Sequence, residues 1–470
     1  MTVPGAPQIG VETIDDGFAA DFGTGMVIIG AGACGMVAAL AARERGEEVL
    51  VVERDAAPSG STALSAGLIP AAGTRFQRAA GIEDDHDLFA GDIQRKAHGE
   101  NNPALVDSLA RGSAPLIEWL ADSYGLPFSL VADFDYPGHS RRRMHGLPSR
   151  SGRELVDRLR TACENAGIDI VTERRVTHLH ADASARIAGI TMLRPDGVIE
   201  RAGCDKLVLA CNGFGGNAAM VRAYLPDIAD ALYFGHGGNQ GEAMLWGEAL
   251  GARIRHPGAY QGHGNVAHPH GILITWAVIG EGGFQIDRTG RRFWNEAQGY
   301  SEAARAVLAR PGGEAFSIFD ERIAGIAAQF ADFRDAQSQG AIREAATIAE
   351  LAQIIGVPRD ALEQTFEEVS QARDSGSTDT FGRDFSHVPP LTPPYRAVRV
   401  TGALFHTQGG LETDGDGRVR HRDGGFLPNL RAAGGAACGV SGAGDAGYLS
   451  GNGLLAATVL GRAAGAWRES

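Results

Sequence analysis

The sequence predicts an α/β protein with a Rossmann-like domain, and three observations carry that expectation. Residues 26 to 53, MVIIGAGACGMVAALAARERGEEVLVVE, read in register as strand, glycine loop, helix and strand. The chain holds 66 glycines in 470 residues with no collagen period, so many tight turns and close backbone approaches are expected. Strand and helix patterns alternate to about residue 250, and strand patterns resume from about residue 400.

Taking the elements in order, Met26 to Ile29 is an apolar strand that enters the G-x-G-x-x-G loop Gly30 to Gly35. An Ala-rich amphipathic helix follows to about Arg45, and a second strand, Val49 to Val52, ends in Glu53. Glycines let the backbone approach a pyrophosphate, and the helix N-terminus offers it free N–H groups and partial positive charge. Gly30, Gly32, Ala33 and Gly35 are therefore read as the phosphate loop. Glu53 stands 23 residues after the first glycine, placed to accept hydrogen bonds from ribose hydroxyls. Arg54, its neighbour, is counted with it.

A second G-x-G-x-x-G, Gly442 to Gly447, opens the stretch GAGDAGYLSGNG and fails the same test of context. The 23 residues after Gly447 provide one helix, Leu454 to about Trp467, and no second strand ending in an acid. Between the two loops, Glu344 to Gly376 reads as two amphipathic helices broken at Gly356 to Pro358, which carry packing.

Composition narrows the class. A formal net charge of −14 argues against a nucleic-acid or anionic-membrane partner, and only Arg141 to Arg143 is locally basic. Such runs are usually solvated faces, although this one has the charge to meet an anionic substrate group. The five cysteines are scattered without C-x-x-C spacing, so neither a disulfide framework nor a metal site is legible, and a reducing cytoplasm fits. No secretory signal is read at the N-terminus, and apolar runs stay short of the ~18 residues of a spanning helix.

The stretch after Glu53, RDAAPSGSTALSAGL, resembles the flavin-wrapping loop of the fumarate reductase and succinate dehydrogenase flavoprotein superfamily. The resemblance continues in KLVLACNGFGGN, GNQGEAMLWGEALGA, GEGGFQIDRTGRRFWNE, ALFHTQGGLETD, NLRAAGGAACGV and SGNGLLAATVLGRAAG, in one order from about residue 26 to 466. It implies a Rossmann-like FAD-binding domain with an inserted α+β cap (substrate) domain, divided as residues 1–250, 251–399 and 400–470. It implies FAD, and hydride exchange between flavin N5 and a carbon beside an activating group. Pro58 to Leu68 has no His for a covalent link, so the FAD is expected to be noncovalent. Ser61, Thr62 and Gly67 are expected to line the flavin, Val176 to meet adenine and Gly213 to lie near the ribityl chain. Asn452, Gly453, Leu454 and Leu455 begin a helix aimed at the flavin carbonyl end, and Ala63, Leu68, Asn212, Gly435 and Ala436 complete the cofactor set.

The chain also departs from the superfamily. Fumarate-reducing members place one Arg before the GEGG-like turn and another in the C-terminal loop; the residues read at those places are Ile279 and Tyr448. Loss of two such cations removes charge-assisted contacts worth roughly 1.5–3 kcal/mol each, so dicarboxylates are not expected as substrates. The 3-ketosteroid dehydrogenase branch has a Tyr in this loop that polarises a ketone, which implies that role for Tyr448, with Ser450 and His406 assisting. His263 or His268 fills a family histidine turn, and Tyr260 or Tyr300 handles the proton. Glu296 is read as structural. The expected enzyme is an FAD-dependent dehydrogenase or reductase that introduces or reduces a C=C bond α,β to a carbonyl of a small-molecule ketone, with an external electron donor or acceptor. Two rivals stand beside it: a fumarate reductase-like enzyme gripping a carboxylate through Arg141 to Arg143 or Arg255, and a flavin-binding protein without catalysis.

Overall fold

Apolar runs fix the first of two sheets. In the computed structural model, which describes residues 9–15, 17–132 and 135–467, strand Phe22–Ile29 lies between Val49–Val52 and Ile199–Leu209, parallel to both. Met26, Val27, Ile28 and Val51 are fully buried, as expected of strands covered on both faces. The nine-stranded sheet runs Gly10–Thr13, Arg175–Ala181, Ile187–Leu193, Ile199–Leu209, Phe22–Ile29, Val49–Val52, Asp169–Val171; Phe426–Ala432 joins at Ile199–Leu209, and Arg418–Arg420 pairs with Phe426–Ala432.

Helix Ala33–Arg43 follows the glycine loop and is buried from Ala33 to Ala42. The C-terminal helical stretch, Asn452–Leu455, a π-helical turn Ala456–Leu460 and Gly461–Gly465, packs against it. The approach is backbone to backbone: a Cβ at Gly465 would stand 1.9 Å from Ala38 O, which explains the small residues of GRAAG.

The second sheet is built around one long strand, Tyr395–Thr407. It pairs antiparallel with Tyr260–Ala267, Glu314–Asp320 and Ile342–Ala345, and parallel with Leu232–Tyr233. Ile272–Leu273 and Phe284–Ile286 complete seven strands. This sheet therefore draws on residues 232 to 407, whereas the sequence places the divisions at 250 and 399. Tyr395–Thr407 is a single 13-residue ladder, and no composition change marks where it leaves one sheet's territory for the other's. Helices Ile348–Ile355 and Arg359–Ser375 are separated at Gly356, whose φ of +73° ends the first of them in the left-handed conformation. The chain is a mixed α/β protein, and among the described residues no helix is long and apolar enough to cross a membrane.

Within the basic run Arg141 is exposed and Arg142 half-buried, as a solvated face requires, whereas Arg143 differs from both sequence readings. Arg143 is fully buried; its Nε and Nη2 donate to the Asp84 carboxylate at 2.7 and 2.8 Å, and its Nη1 donates to Asp92. Its guanidinium lies over the Phe89 ring. It neither faces solvent nor meets a ligand, because two buried carboxylates already hold it. Burial alone raises the Asp92 carboxyl, but hydrogen bonds from Ser140 and Arg143 outweigh that and hold it at about 2. Arg143→Ala leaves the Asp84 carboxylate buried without its cation and Asp92 with Arg95 alone, and a loss of about 3–5 kcal/mol in urea unfolding is expected. Because the folded Asp92 value is depressed, the wild-type contribution is complete above the ordinary carboxylate range and fades as pH falls toward 2, which a urea series across acidic pH measures.

Candidate active site

One elongated cavity is lined by residues of both sheets, and its two ends differ in chemistry. At the first end, the turn after strand Phe22–Ile29 brings Gly30, Gly32 and Ala33 to the wall beside Glu53, Arg54, Arg174, Arg175 and Val176. Glu53 Oε2 accepts from Ala31 N and Oε1 from Asp55 N, each at 2.9 Å, so each oxygen keeps a lone pair for a ligand hydroxyl. The glycines divide their tasks. Gly32 opens onto the cavity, while Gly35 stands behind the wall, where a Cβ would lie 1.8 Å from Gly30 O.

The turn around Gly60–Ala63 is tied down from two sides. Ala33 N donates to Thr62 Oγ1 at 3.2 Å, and Ser61 Oγ accepts from Asn239 Nδ2 at 2.8 Å. Arg54 Nη1 donates to Gly238 O and lies 3.2 Å from Glu242 Oε1. Glu242 Oε2 and Arg175 Nε are buried without a hydrogen-bond partner in the protein, and both residues line this end. An unpaired acceptor and an unpaired donor beside a glycine loop and a ribose-seeking carboxylate are what an adenine dinucleotide satisfies. FAD fits this set.

The other expected cofactor residues separate into two groups. Ser61, Thr62, Gly67, Leu68, Asn212, Gly435, Gly453 and Leu454 line the cavity; Ala63, Gly213, Ala436, Asn452 and Leu455 stand behind its wall. The N–H of Gly453, read from sequence as aimed at the flavin, donates instead to the Tyr448 hydroxyl at 3.2 Å.

Towards the second end the walls are rich in aromatic rings and, among the described residues, hold no Lys or Arg; Asp332, whose carboxyl burial raises, also lines the cavity. Tyr448, Ser450, Tyr300, His406 and His263 meet here, although the sequence separates them by up to 187 positions (450 − 263). The rings of Tyr300 and Tyr448 are 6.0 Å apart, and those of His406 and Tyr448 are 5.6 Å apart. His263 stacks on Tyr300 at 4.8 Å and on Phe405 at 5.1 Å. Ser450 and the Gly451 backbone stand near the Tyr300 hydroxyl, and Tyr300 near that of Tyr448; the neighbouring polar groups offset part of what burial does to each phenol. Burial pushes the Tyr448 phenol up to about 12 and that of Tyr300 well above its ordinary value, while it pushes His406 down to about 4 and His263 to about 3. All four are neutral near pH 7.

Two sequence readings are corrected by this geometry, and Ile279 is placed by it. Tyr260 does not reach the cavity: it is buried beside Phe214, Leu404 and Asp445, because strand alternation puts Gln261 and His263 on the cavity face and Tyr260 on the other. His268 is half-buried with its Nε2 3.0 Å from Glu314 Oε1, outside the cavity wall, so of the two histidine candidates only His263 lines the cavity. Ile279 is core, its carbonyl accepting from Arg383 Nη2 at 2.8 Å; from this part of the chain it is Tyr300 that faces Tyr448. Glu296 is fully buried between Arg292 and Arg383, as its structural reading requires. Arg255 is surface-exposed within 4.0 Å of Glu412 and does not line the cavity.

Sequence reasoning also missed Tyr136, Trp276, Phe405 and Gln408, all in the cavity wall. Gln408 carried a usable signal, since it lies two positions beyond His406 along an extended segment.

Residues 25–454 match the family model described as FAD binding domain. The chain is 28% identical over 441 residues to an NADH:fumarate oxidoreductase of Klebsiella pneumoniae (strain 342), with 94% of this chain and 47% of that protein covered, so it spans about half of that relative's length. It is 30% identical over 446 residues to the probable fumarate reductase Ifc3 of Shewanella frigidimarina (strain NCIMB 400), covering 94% of this chain and 74% of that one. The solved 3-ketosteroid-Δ4-(5α)-dehydrogenase of Rhodococcus jostii RHA1 superposes with a TM-score of 0.77 at 25% identity, over 97% of this chain and 99% of that one. Glu53→Ala removes the ribose-facing carboxylate, and flavin retention is expected to weaken roughly 10- to 150-fold, read as flavin released on dilution.

Proposed function

Since the chain belongs to the FAD binding domain family of the fumarate reductase and succinate dehydrogenase flavoprotein superfamily, and is an FAD-dependent oxidoreductase acting on carbon–carbon double bonds, we propose that its substrate is a neutral ketone, saturated or α,β-unsaturated. A 3-ketosteroid or a smaller cyclic ketone fits. In this reading the nine-stranded sheet is the core of a Rossmann-like FAD-binding domain, the second sheet belongs to an inserted α+β cap, and the FAD is noncovalent. The cell compartment is cytoplasmic, in keeping with five free cysteines, and electrons come from or go to an external partner.

One observation carries the substrate class. The arginines that line the cavity, Arg54, Arg174 and Arg175, gather at the Glu53 end, where Arg174 N donates to Glu53 O at 2.9 Å; among the described residues no Lys or Arg lines the end that holds Tyr448. A dicarboxylate placed there lacks a charge partner, and an unpaired buried carboxylate is costly. A ketone needs only neutral donors.

Tyr448 supplies the first of these donors. Its phenol stays protonated at every ordinary pH, and the Gly453 N–H donated to its oxygen leaves its own proton free to polarise a carbonyl. His406 stands edge-on to Tyr448 and supplies a second polar contact. Ser450 stands near the Tyr300 hydroxyl, and Tyr300 moves the proton at the carbon. Bound FAD supplies the hydride acceptor or donor.

A dye-coupled assay with a cyclic enone, a 3-ketosteroid and fumarate tests this reading. Turnover of either ketone with fumarate inert is the expected result, and preferential turnover of fumarate sinks the proposal in favour of the carboxylate reading that the two fumarate-active relatives suggest. Tyr448→Phe is expected to lower kcat on the ketone by roughly 100- to 1,000-fold, the cost of one oxyanion-facing donor. The direction of the Tyr300 shift gives a pH signature. Its base form grows as pH rises toward an elevated value, so the dehydrogenation rate climbs through neutral into alkaline pH, while reduction, which needs the phenol, stays level; kcat against pH in both directions measures this.

A further inference from the structure

We propose that Gln408 is a positioning residue that sets the tautomer of His406, donating its amide N–H to Nδ1 so that the single imidazole proton resides on Nε2, beside Tyr448. The tautomer stands on hydrogen-bond geometry alone; its catalytic consequence rests on the ketone reading above.

Gln408 Nε2 lies 2.9 Å from His406 Nδ1, and its Oε1 accepts from Ser441 Oγ at 2.7 Å. Gln408 and Ser441 are both buried, so neither exchanges its partner for bulk water. The backbone of Gln408 is held on both sides as well: its N donates to Ala259 O at 2.7 Å, and its O accepts from Gly439 N at 2.8 Å. The amide is thus held in place between Ser441 and the imidazole, with its N–H side towards the ring. The alternative acceptor for an Nδ1–H, the carbonyl of Thr407, is 3.3 Å away, a longer contact than the 2.9 Å to the Gln408 amide.

A neutral imidazole has one proton, so an accepting Nδ1 obliges Nε2 to carry it. The Nε2 edge is the one that faces the site: a Cβ built on Gly453 would lie 2.8 Å from His406 Nε2 and 3.3 Å from the Tyr448 hydroxyl. With Nε2–H, His406 and Tyr448 present two neutral donors to one carbonyl oxygen. With Nδ1–H, His406 presents a lone pair to the same oxygen and repels it. The titratable groups around His406 are the phenols of Tyr448 and Tyr300 and the imidazole of His263, all uncharged near neutrality, so Gln408 is the neighbour that decides where the proton sits.

The test uses the FAD-loaded enzyme labelled with 15N-histidine, with the His406 resonances assigned by their loss in His406→Asn. Long-range 1H–15N spectra near neutral pH are expected to show His406 protonated on Nε2 alone. In Gln408→Glu a carboxylate replaces the donor, so the proton is expected to move to Nδ1 and the His406 protonation midpoint to rise by roughly 1 to 3 pH units. Gln408→Leu is expected to give a mixture of tautomers. A wild-type spectrum with the proton on Nδ1 overturns the proposal and needs no variant to be folded; so does a Gln408→Glu spectrum matching wild type. In turnover, Gln408→Glu is expected to lose up to roughly 100-fold in kcat on a cyclic enone with little change in KM. Tautomers that respond as expected while kcat does not uphold this inference and overturn the ketone reading.

Discussion

The hydrogen-bond ladder of strand Tyr395–Thr407 is the constraint on which the reactive end of the cavity depends. Four other strands pair with it, and its last residues run straight into the cavity wall, where Phe405, His406, Thr407 and Gln408 stand in sequence. Side chains alternate between faces of a strand, so a slip of one residue would exchange His406 for a neighbour of different chemistry. The pairing with Tyr260–Ala267 sets His406 opposite Gln261, and His263 of the same strand packs on Phe405. Two histidines are thus delivered to one cavity by the register of two strands.

The chemistry at that end is governed by what burial does to ionisable groups. Phenols and imidazoles pay different prices for charge in a dry site, yet both respond by staying neutral: the phenols rise and the imidazoles fall. The consequence is a site able to hold hydrogen-bond donors around a developing oxyanion without an electrostatic preference for an anionic ground state. Gly453 contributes through its backbone, since its N–H to Tyr448 removes the phenol oxygen from competition as an acceptor.

The two ends of the cavity were legible in the sequence to different degrees for a physical reason. The nucleotide end is local: strand, glycine turn, helix and acid lie within residues 26 to 53, so periodicity and spacing locate them together. The reactive end is assembled by tertiary pairing from Tyr136, His263, Tyr300, His406 and Tyr448, and nothing in the spacing of these residues shows that they meet. The misplacement of Tyr260 is a failure to apply alternation, because its neighbours Gln261 and His263 face the cavity. The second glycine loop shows the same limit from the other side. Its dinucleotide spacing reflects tight folding, a Cβ at Gly447 standing 1.9 Å from Ser441 O, and its chemical content lies in Tyr448 and Ser450 beyond it.

The basic run shows how stability and specificity share one neighbourhood. A guanidinium does lie near the loop that bears Ser450, since His139, from the segment that also carries Arg143, donates from Nε2 to Ser450 O at 2.9 Å. That guanidinium is committed to Asp84 and Asp92, and Asp92 also accepts from the backbone and hydroxyl of Ser140. Freeing Arg143 for a substrate would strand the Asp84 carboxylate in the protein interior and leave Asp92 to Arg95 alone, a larger cost than one substrate contact offsets. The buried ion cluster therefore does two things at once. It fixes the segment on which Ser450 leans, and it keeps the Arg143 guanidinium from serving a carboxylate substrate.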